Sequence, residues 1–365
     1  MTATAIQRVG ILTGGGDCPG LNGVLRAFTR TAILQYGWQV LGIIDGYEGL
    51  LDPPRARPLD LDTVKGILPL GGTILGTTNR CNPFDYVHYA GGQLTRRDRS
   101  PEVLRSLELL GLDALCVVGG DGSLHIAKRF ADRGVPLVGV PKTIDNDLSA
   151  TDVTFGYHTA VQTATEAIDR LHTTTESHHR VMIVEVMGRD AGWIALESGL
   201  AGAAAVILIP EIPFDLDRVA QALAARSQRR RDSSIVVVAE GAAPRGGQRI
   251  YQPTTNPAAQ PRLGGIGPWL VGEIERRTGI ETRAVVLGHL QRGGTPTAFD
   301  RNLATRFGAA AARLIAVGGF GRMVALHGTA VVDVALAEAV GAQKHVPVDG
   351  ELVRTARDLG ICFGD

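Results

Sequence analysis

The feature that most constrains this 365-residue chain is a recurring order: a short unbroken apolar run, then a loop carrying Gly or Asp, then a helical pattern. Strands buried on both faces need unbroken apolar runs rather than apolar–polar alternation. Their alternation with helices marks parallel sheets covered by helices. The predicted strands lie at 9–13, 39–44, 114–118, 137–140, 181–186, 205–209, 235–239, 284–287 and 323–326. The fold class is therefore α/β. At about 100–200 residues per domain, the length allows two domains or one large sheet.

In open α/β sheets the ligand crevice lies at the carboxyl ends of the strands. Four of the predicted strands run directly into such loops: Gly14-Gly15-Gly16-Asp17, Gly119-Gly120-Asp121-Gly122-Ser123, the segment from Lys142 to Asp147, and Gly188-Arg189-Asp190. The 47 glycines exceed an average usage of about 7%. That excess suits tight loops and close approach of backbone to a ligand.

Lys+Arg and Asp+Glu both total 37, so no net charge steers the chain toward nucleic acid or an anionic membrane. A polyanion site must be local. Aromatics at 5% disfavour stacking platforms for single strands. Cys18, Cys81, Cys116 and Cys362 have neither disulfide-framework nor zinc spacing. The first ten residues lack a signal profile, and the longest apolar stretch, 200–209, is about half a membrane span. A cytoplasmic protein with no nucleic-acid or membrane partner is expected. The Pro/Arg-rich segment 52–58 and the basic, Gly/Pro-rich segments 229–233 and 243–262 read as peripheral surface loops.

Each loop has a chemical reading and a plainer one. Residues 14–20 open a helix near Leu21, so backbone N–H groups face a phosphate there or simply make a tight turn. Their spacing matches neither GxxxxGK[ST] nor GxGxxG. Asp121 at a strand end holds Mg²⁺ against phosphate oxygens, or caps the next helix. In Pro141-Lys142-Thr143-Ile144-Asp145-Asn146-Asp147, two carboxylates two residues apart divide base and metal work, or form an Asx-turn and capping cluster. Arg180, Arg189, Arg283 and Arg292, with His289 nearby, match a phosphorylated substrate as a set, while any one alone is an ordinary surface charge. Glu240 at a strand end accepts sugar hydroxyls or is structural.

Taken in order, GILTGGGDCPGLN, GYEGL, GGTILGTTNR, VVGGDGS, PKTIDND, SHHRVMIVEVMGRDAGWIA, Pro210-Glu211, Glu240-Gly241 and TRAVVLGHLQRGG resemble the phosphofructokinase family over essentially the whole chain. The resemblance implies two doubly wound α/β domains with mostly parallel sheets and the active site in the cleft between them. The expected nucleotide- and Mg-binding domain is 1–156 plus about 291–345. The expected sugar-phosphate domain is 157–290 plus about 346–365. The implied reaction transfers a phosphoryl group to the 1-hydroxyl of fructose 6-phosphate, with Mg²⁺ as cofactor.

Carried over by residue, the resemblance makes Asp145 the base and Thr143 a ligand of the transferring phosphoryl. Asp121 and Asp147 become the Mg²⁺ carboxylates. Arg189 and Arg80, the latter reached with one inserted residue in GTTNRC, neutralise developing charge. It assigns Thr143, Asp145, Arg180, Met187, Gly188, Arg189, Glu240, Arg283, His289 and Arg292 to the sugar phosphate. Gly16, Tyr47, Arg80, Cys81, Gly120, Asp121, Gly122 and Ser123 go to the nucleotide. Arg180 and Arg283 are expected from a neighbouring subunit, which implies a homo-oligomer, dimer or tetramer. Gly122 is the mark of ATP users, whereas Lys142 is the mark of pyrophosphate users. ATP is the expected donor, since a missing side chain opens the space ATP needs and a lysine does not exclude it. A pyrophosphate-dependent enzyme and a non-catalytic sugar-phosphate sensor are the alternatives. Arg26 and Arg30 match effector-site arginines, but Leu61, His172 and Ala204 depart from that site, so its usual effectors are not implied.

Overall fold

The computed structural model describes residues 6–90, 93–228, 233–251 and 263–365. The chain divides into two compact units, each assembled from three stretches. One contains Met1–Ile144, Leu148–His158 and Arg292–Gln343; the other contains Asp145–Asp147, Thr159–Gln291 and Lys344–Asp365.

The first unit is built on a seven-stranded sheet ordered Ala330–Ala335, Arg322–His327, Leu137–Pro141, Ala114–Gly119, Arg8–Thr13, Gln39–Ile43 and Ala56–Leu59. The five inner strands run parallel, and the two edge strands are antiparallel. Every residue of Ala114–Gly119 and Leu137–Pro141 is buried, as their unbroken apolar sequences require. Leu12, Val117 and Met323 pack with Leu124 and Phe130 of the helix Asp121–Ala131 in one continuous core. Helices Leu21–Tyr36 and Ala298–Ala316 also approach closely in this unit. A Cβ on Gly308 would stand 2.5 Å from the Val24 carbonyl, so only glycine permits that crossing.

The second unit carries a wholly parallel four-stranded sheet, Thr282–Val286, Val181–Val186, Ser234–Ala239 and Val206–Leu208. Ile183, Val236 and Leu208 pack against Val219 and Leu223 of Leu216–Gln228 and against Leu270 and Ile274 of Ile266–Thr278. Glu185 is buried in the central strand. Its carboxylate accepts the Gly265 and Gly267 N–H groups at 3.0 and 2.8 Å, so a helix N-terminus and its positive dipole end satisfy the charge.

All nine predicted strands are present, with ends within two residues of those predicted and 181–186 unchanged. One expectation is corrected: 52–58 is not wholly a peripheral loop, because Ala56–Leu59 pairs antiparallel with Gln39–Ile43. Pro58 is tolerated because the strand lies at the sheet edge, where a missing N–H breaks no inner ladder. Strand Ala330–Ala335 and the hairpin Tyr86–Ala90 with Gln93–Arg97 also go beyond the sequence reading. Of the other peripheral segments, 229–232 and 252–262 lie outside the described residues, and 243–251 is irregular apart from isolated bridges.

Candidate active site

In the first unit, three neighbouring parallel strands end side by side and bring their loops together. The Gly14 N–H donates to the Val118 carbonyl at 2.9 Å and the Lys142 N–H to the Gly119 carbonyl at 3.0 Å. The GTTNR segment joins them, since the Gly15 N–H bonds the Thr78 carbonyl at 3.0 Å and Thr77 Oγ1 donates to the Gly15 carbonyl at 2.6 Å. Lys142 is 4% exposed, and its ammonium donates to the Gly16 carbonyl at 2.5 Å. Arg292 Nη1 reaches the Asp17 carbonyl at 3.2 Å. The loop thus carries two cations on its backbone carbonyls.

Asp121 does not cap its helix. Gly120 takes the cap position and Asp121 is the first helical residue, with its side chain 36% exposed. Gly122 follows, and apart from its chain neighbours and its own helix backbone no atom of the described residues lies within 4 Å of the place its Cβ would occupy. Tyr47 is buried under this turn and donates its hydroxyl to the Ser123 carbonyl at 3.1 Å. Burial pushes the Tyr47 phenol well above its ordinary pKa. Burial raises the Cys81 thiol as well, and a hydrogen bond to Glu48 adds to it. Tyr47 and Cys81 belong to the packed floor beneath the loop, together with Phe84 and Phe130. Cys18 is pushed up to about 12, chiefly by burial. These two thiols stay protonated near neutrality and supply no nucleophile. Arg80 is exposed beyond Thr78, and its N–H meets Thr78 Oγ1 at 3.2 Å.

Thr143 is buried, and its carbonyl accepts Thr154 Oγ1 at 2.8 Å. Asp145–Asp147 count with the second unit. No helix starts in this segment, the next being Tyr157–His178, so helix capping is not its role. Asn146 holds φ +50°, a left-handed conformation that Asn tolerates better than most residues.

The second unit gathers its own set at the carboxyl ends of its strands. Glu240 donates its N–H to the Val186 carbonyl at 2.9 Å, and Gly241 to the Gly188 carbonyl at 3.0 Å. The Met187 N–H donates to Gln291 Oε1 at 3.2 Å, which fixes the turn Gly288–Arg292 with exposed His289 beside it. Met187, Gly188, Arg189 and Glu240 are therefore assembled. Arg180 and Arg283 are not part of that group. They sit at the amino ends of their strands and converge on Glu281, at 3.6 and 3.0 Å. The six residues of Val181–Val186 intervene, about 20 Å at strand rise.

Two contacting residues were not among the predicted site residues. His125 lies one turn after Asp121, with its Nδ1 3.1 Å from Asp121 Oδ1. The Lys344 ammonium donates to Asn146 Oδ1 at 2.9 Å. The first could have been found from i,i+4 helix spacing, the second from nothing local.

Parallel sheets whose strand ends present glycine loops, carboxylates and guanidinium groups define a phosphate-handling α/β protein. Residues 8–315 match the family described as Phosphofructokinase, and the chain belongs to that family. It is 52% identical to the ATP-dependent 6-phosphofructokinase of Chloroflexus aurantiacus over 363 residues, covering 100% of this chain and 99% of that one. It is also 53% identical to the pyrophosphate–fructose 6-phosphate 1-phosphotransferase of Streptomyces coelicolor, covering 98% and 100%. Among solved structures, the phosphofructokinase of Pichia pastoris superposes with a TM-score of 0.79 at 31% identity. That match takes in 98% of this chain and spans 37% of the Pichia chain.

Proposed function

We propose that the protein is an ATP-dependent 6-phosphofructokinase, transferring the γ-phosphoryl group of Mg-ATP to the 1-hydroxyl of fructose 6-phosphate in the cytoplasm. The observation that carries the donor assignment is the open space at Gly122. This glycine is helical, has no left-handed φ and touches nothing that a side chain would meet, so the fold does not require it. The absence of a side chain there supports this reading, since a nucleotide needs room beyond its transferring phosphate.

Asp145 takes the proton from the attacking hydroxyl, and Thr143 holds the transferring phosphoryl. Arg189 and Arg80 neutralise its developing charge. Gly16, Gly120 and Ser123 approach the nucleotide through backbone, with Tyr47 and Cys81 as packed support. The first unit serves the nucleotide, and the second serves the sugar phosphate through Met187, Gly188, Glu240 and His289, with Arg292 adding a guanidinium.

Mg²⁺ fits the donor set. Asp121 presents hard carboxylate oxygens at a strand end, and Asp147 is the second carboxylate. Among the described residues no cluster of three or more His, Cys, Asp or Glu forms a closed cage. Mg²⁺ uses one or two carboxylates plus substrate phosphates, so it needs none. When bound it offsets charge on the donor phosphates.

Arg180 and Arg283 lie a full strand length from Met187–Arg189, beyond the reach of an arginine side chain. This separation supports a homo-oligomer in which they serve a neighbour's sugar phosphate.

The second reading is pyrophosphate as donor, favoured by Lys142 and its buried ammonium among the glycine loops. Initial rates with fructose 6-phosphate and Mg²⁺, with ATP or pyrophosphate as sole donor, separate the two. Activity with ATP alone is expected. Activity with pyrophosphate alone would transfer the donor role to Lys142, and silence with both would favour a sensor.

A further inference from the structure

The segment Lys344-His345-Val346 touches both loops of the second unit that carry proposed catalytic groups. The Lys344 N–H donates to the Asp147 carbonyl at 2.9 Å, and its ammonium donates to Asn146 Oδ1 at 2.9 Å. The backbone and side chain of one residue therefore hold the left-handed bend between the two carboxylates. Lys344 is itself held, because Trp193 Nε1 donates to its carbonyl at 2.9 Å and the indole ring centroid lies 5.8 Å from its ammonium. The next two residues reach the other loop. His345 Nδ1 lies 3.0 Å from the Asp190 carbonyl. The Val346 N–H donates to Glu211 Oε1 at 2.8 Å, and Glu211 also accepts the Gly192 N–H at 3.0 Å.

We infer that Lys344 is a positioning residue for phosphoryl transfer, the head of a C-terminal clip that holds Asp145–Asp147 in register with the Arg189–Trp193 loop. Asn146 is the hinge of the carboxylate loop, and a left-handed residue keeps its conformation only when its surroundings over-determine it. The ammonium on its side chain supplies that constraint, and it also places a positive charge beside a segment bearing two carboxylates. Trp193 is the first residue of the helix that follows the arginine loop, so both loops are referenced to the same residue. Displacing a reacting group by about 1 Å costs on the order of 10²-fold in rate while leaving binding groups in place. The effect therefore falls on kcat.

This inference rests on the proposed activity, so its test has one arm that does not. Lys344→Met, Lys344→Arg and wild type are compared by steady-state kinetics and by hydrogen exchange of the peptide spanning Asp145–Asp147. Lys344→Met is expected to lower kcat about 10- to 100-fold, to leave both KM values nearly unchanged, and to speed exchange in that peptide. Lys344→Arg, which keeps the cation and the donor, restores both. Unchanged exchange, or KM values rising as far as kcat falls, would overturn the assignment. Trp193→Phe removes the indole N–H that bonds the Lys344 carbonyl while keeping an aromatic ring there, and carries the same test if Lys344→Met does not fold. A wild-type enzyme silent with fructose 6-phosphate would refute the proposed activity instead, and exchange alone would then decide whether Lys344 holds the loop.

Discussion

Gly122 occupies the second position of a helix, where alanine would be favoured by about 1 kcal/mol, yet neither packing nor backbone conformation calls for glycine. A glycine that runs against helix propensity without a structural reason points to a ligand. Gly122→Asp tests this cleanly, because a carboxylate in the first turn of a helix is compatible with its dipole. The variant is expected to melt no lower than wild type while its KM for ATP rises about tenfold or more, equivalent to about 1.4 kcal/mol. Thermal denaturation with donor kinetics checks it, and an unchanged KM would detach Gly122 from donor choice. At this scale the loops that make up the candidate site were legible in the sequence, since glycine loops and paired carboxylates at strand ends stand out by their spacing. Lys344 was invisible, because a single lysine 198 residues from Asn146 in the chain has no pattern to belong to.

Strand Val181–Val186 and the elements around it show how backbone packing holds the loops of the candidate site. Gly241 closes against the arginine loop so tightly that a Cβ would stand 1.9 Å from the Arg189 carbonyl, a backbone atom that no rotamer change can move. Gly241→Ala must therefore shift the Arg189 loop or the end of Ser234–Ala239. It is expected to cost about 1–3 kcal/mol of stability and to lower kcat. Calorimetry together with initial rates tests this, and a variant with wild-type melting and turnover would show that the loop yields freely. The inner strands were legible because unbroken apolar runs have one economical fate in a parallel sheet. Ala56–Leu59 and Ala330–Ala335 were not, because edge strands are half exposed and carry charge and proline that read as loop. Topology followed the same divide: the alternation implied parallel sheets, but not the antiparallel strands at both edges of the larger one.

At the scale of the whole molecule, the position of Arg180 and Arg283 makes the strongest demand. Both cluster with Glu281 at the amino end of a sheet whose carboxyl end holds Met187–Arg189 and Glu240. An arginine side chain cannot cross that distance, so if the two arginines bind the sugar phosphate as proposed, that phosphate belongs to another copy. Two defective variants should then repair each other. Asp145→Ser alone is expected to lower kcat about 10²- to 10⁴-fold, as for a lost general base, whereas Arg283→Ala chiefly raises KM for fructose 6-phosphate. In a hybrid of the two, the Arg283→Ala subunit keeps its own base and receives an intact arginine from its partner. Random pairing of equal amounts makes half the dimers hybrid with one whole site each. Subunit exchange followed by assay at low fructose 6-phosphate should then return about a quarter of the wild-type rate, because a two-fold interface places the same residues on both partners. A mixture no more active than the average of its components would show that Arg283 serves its own chain, and the sheet ends would then have to be joined by some other route.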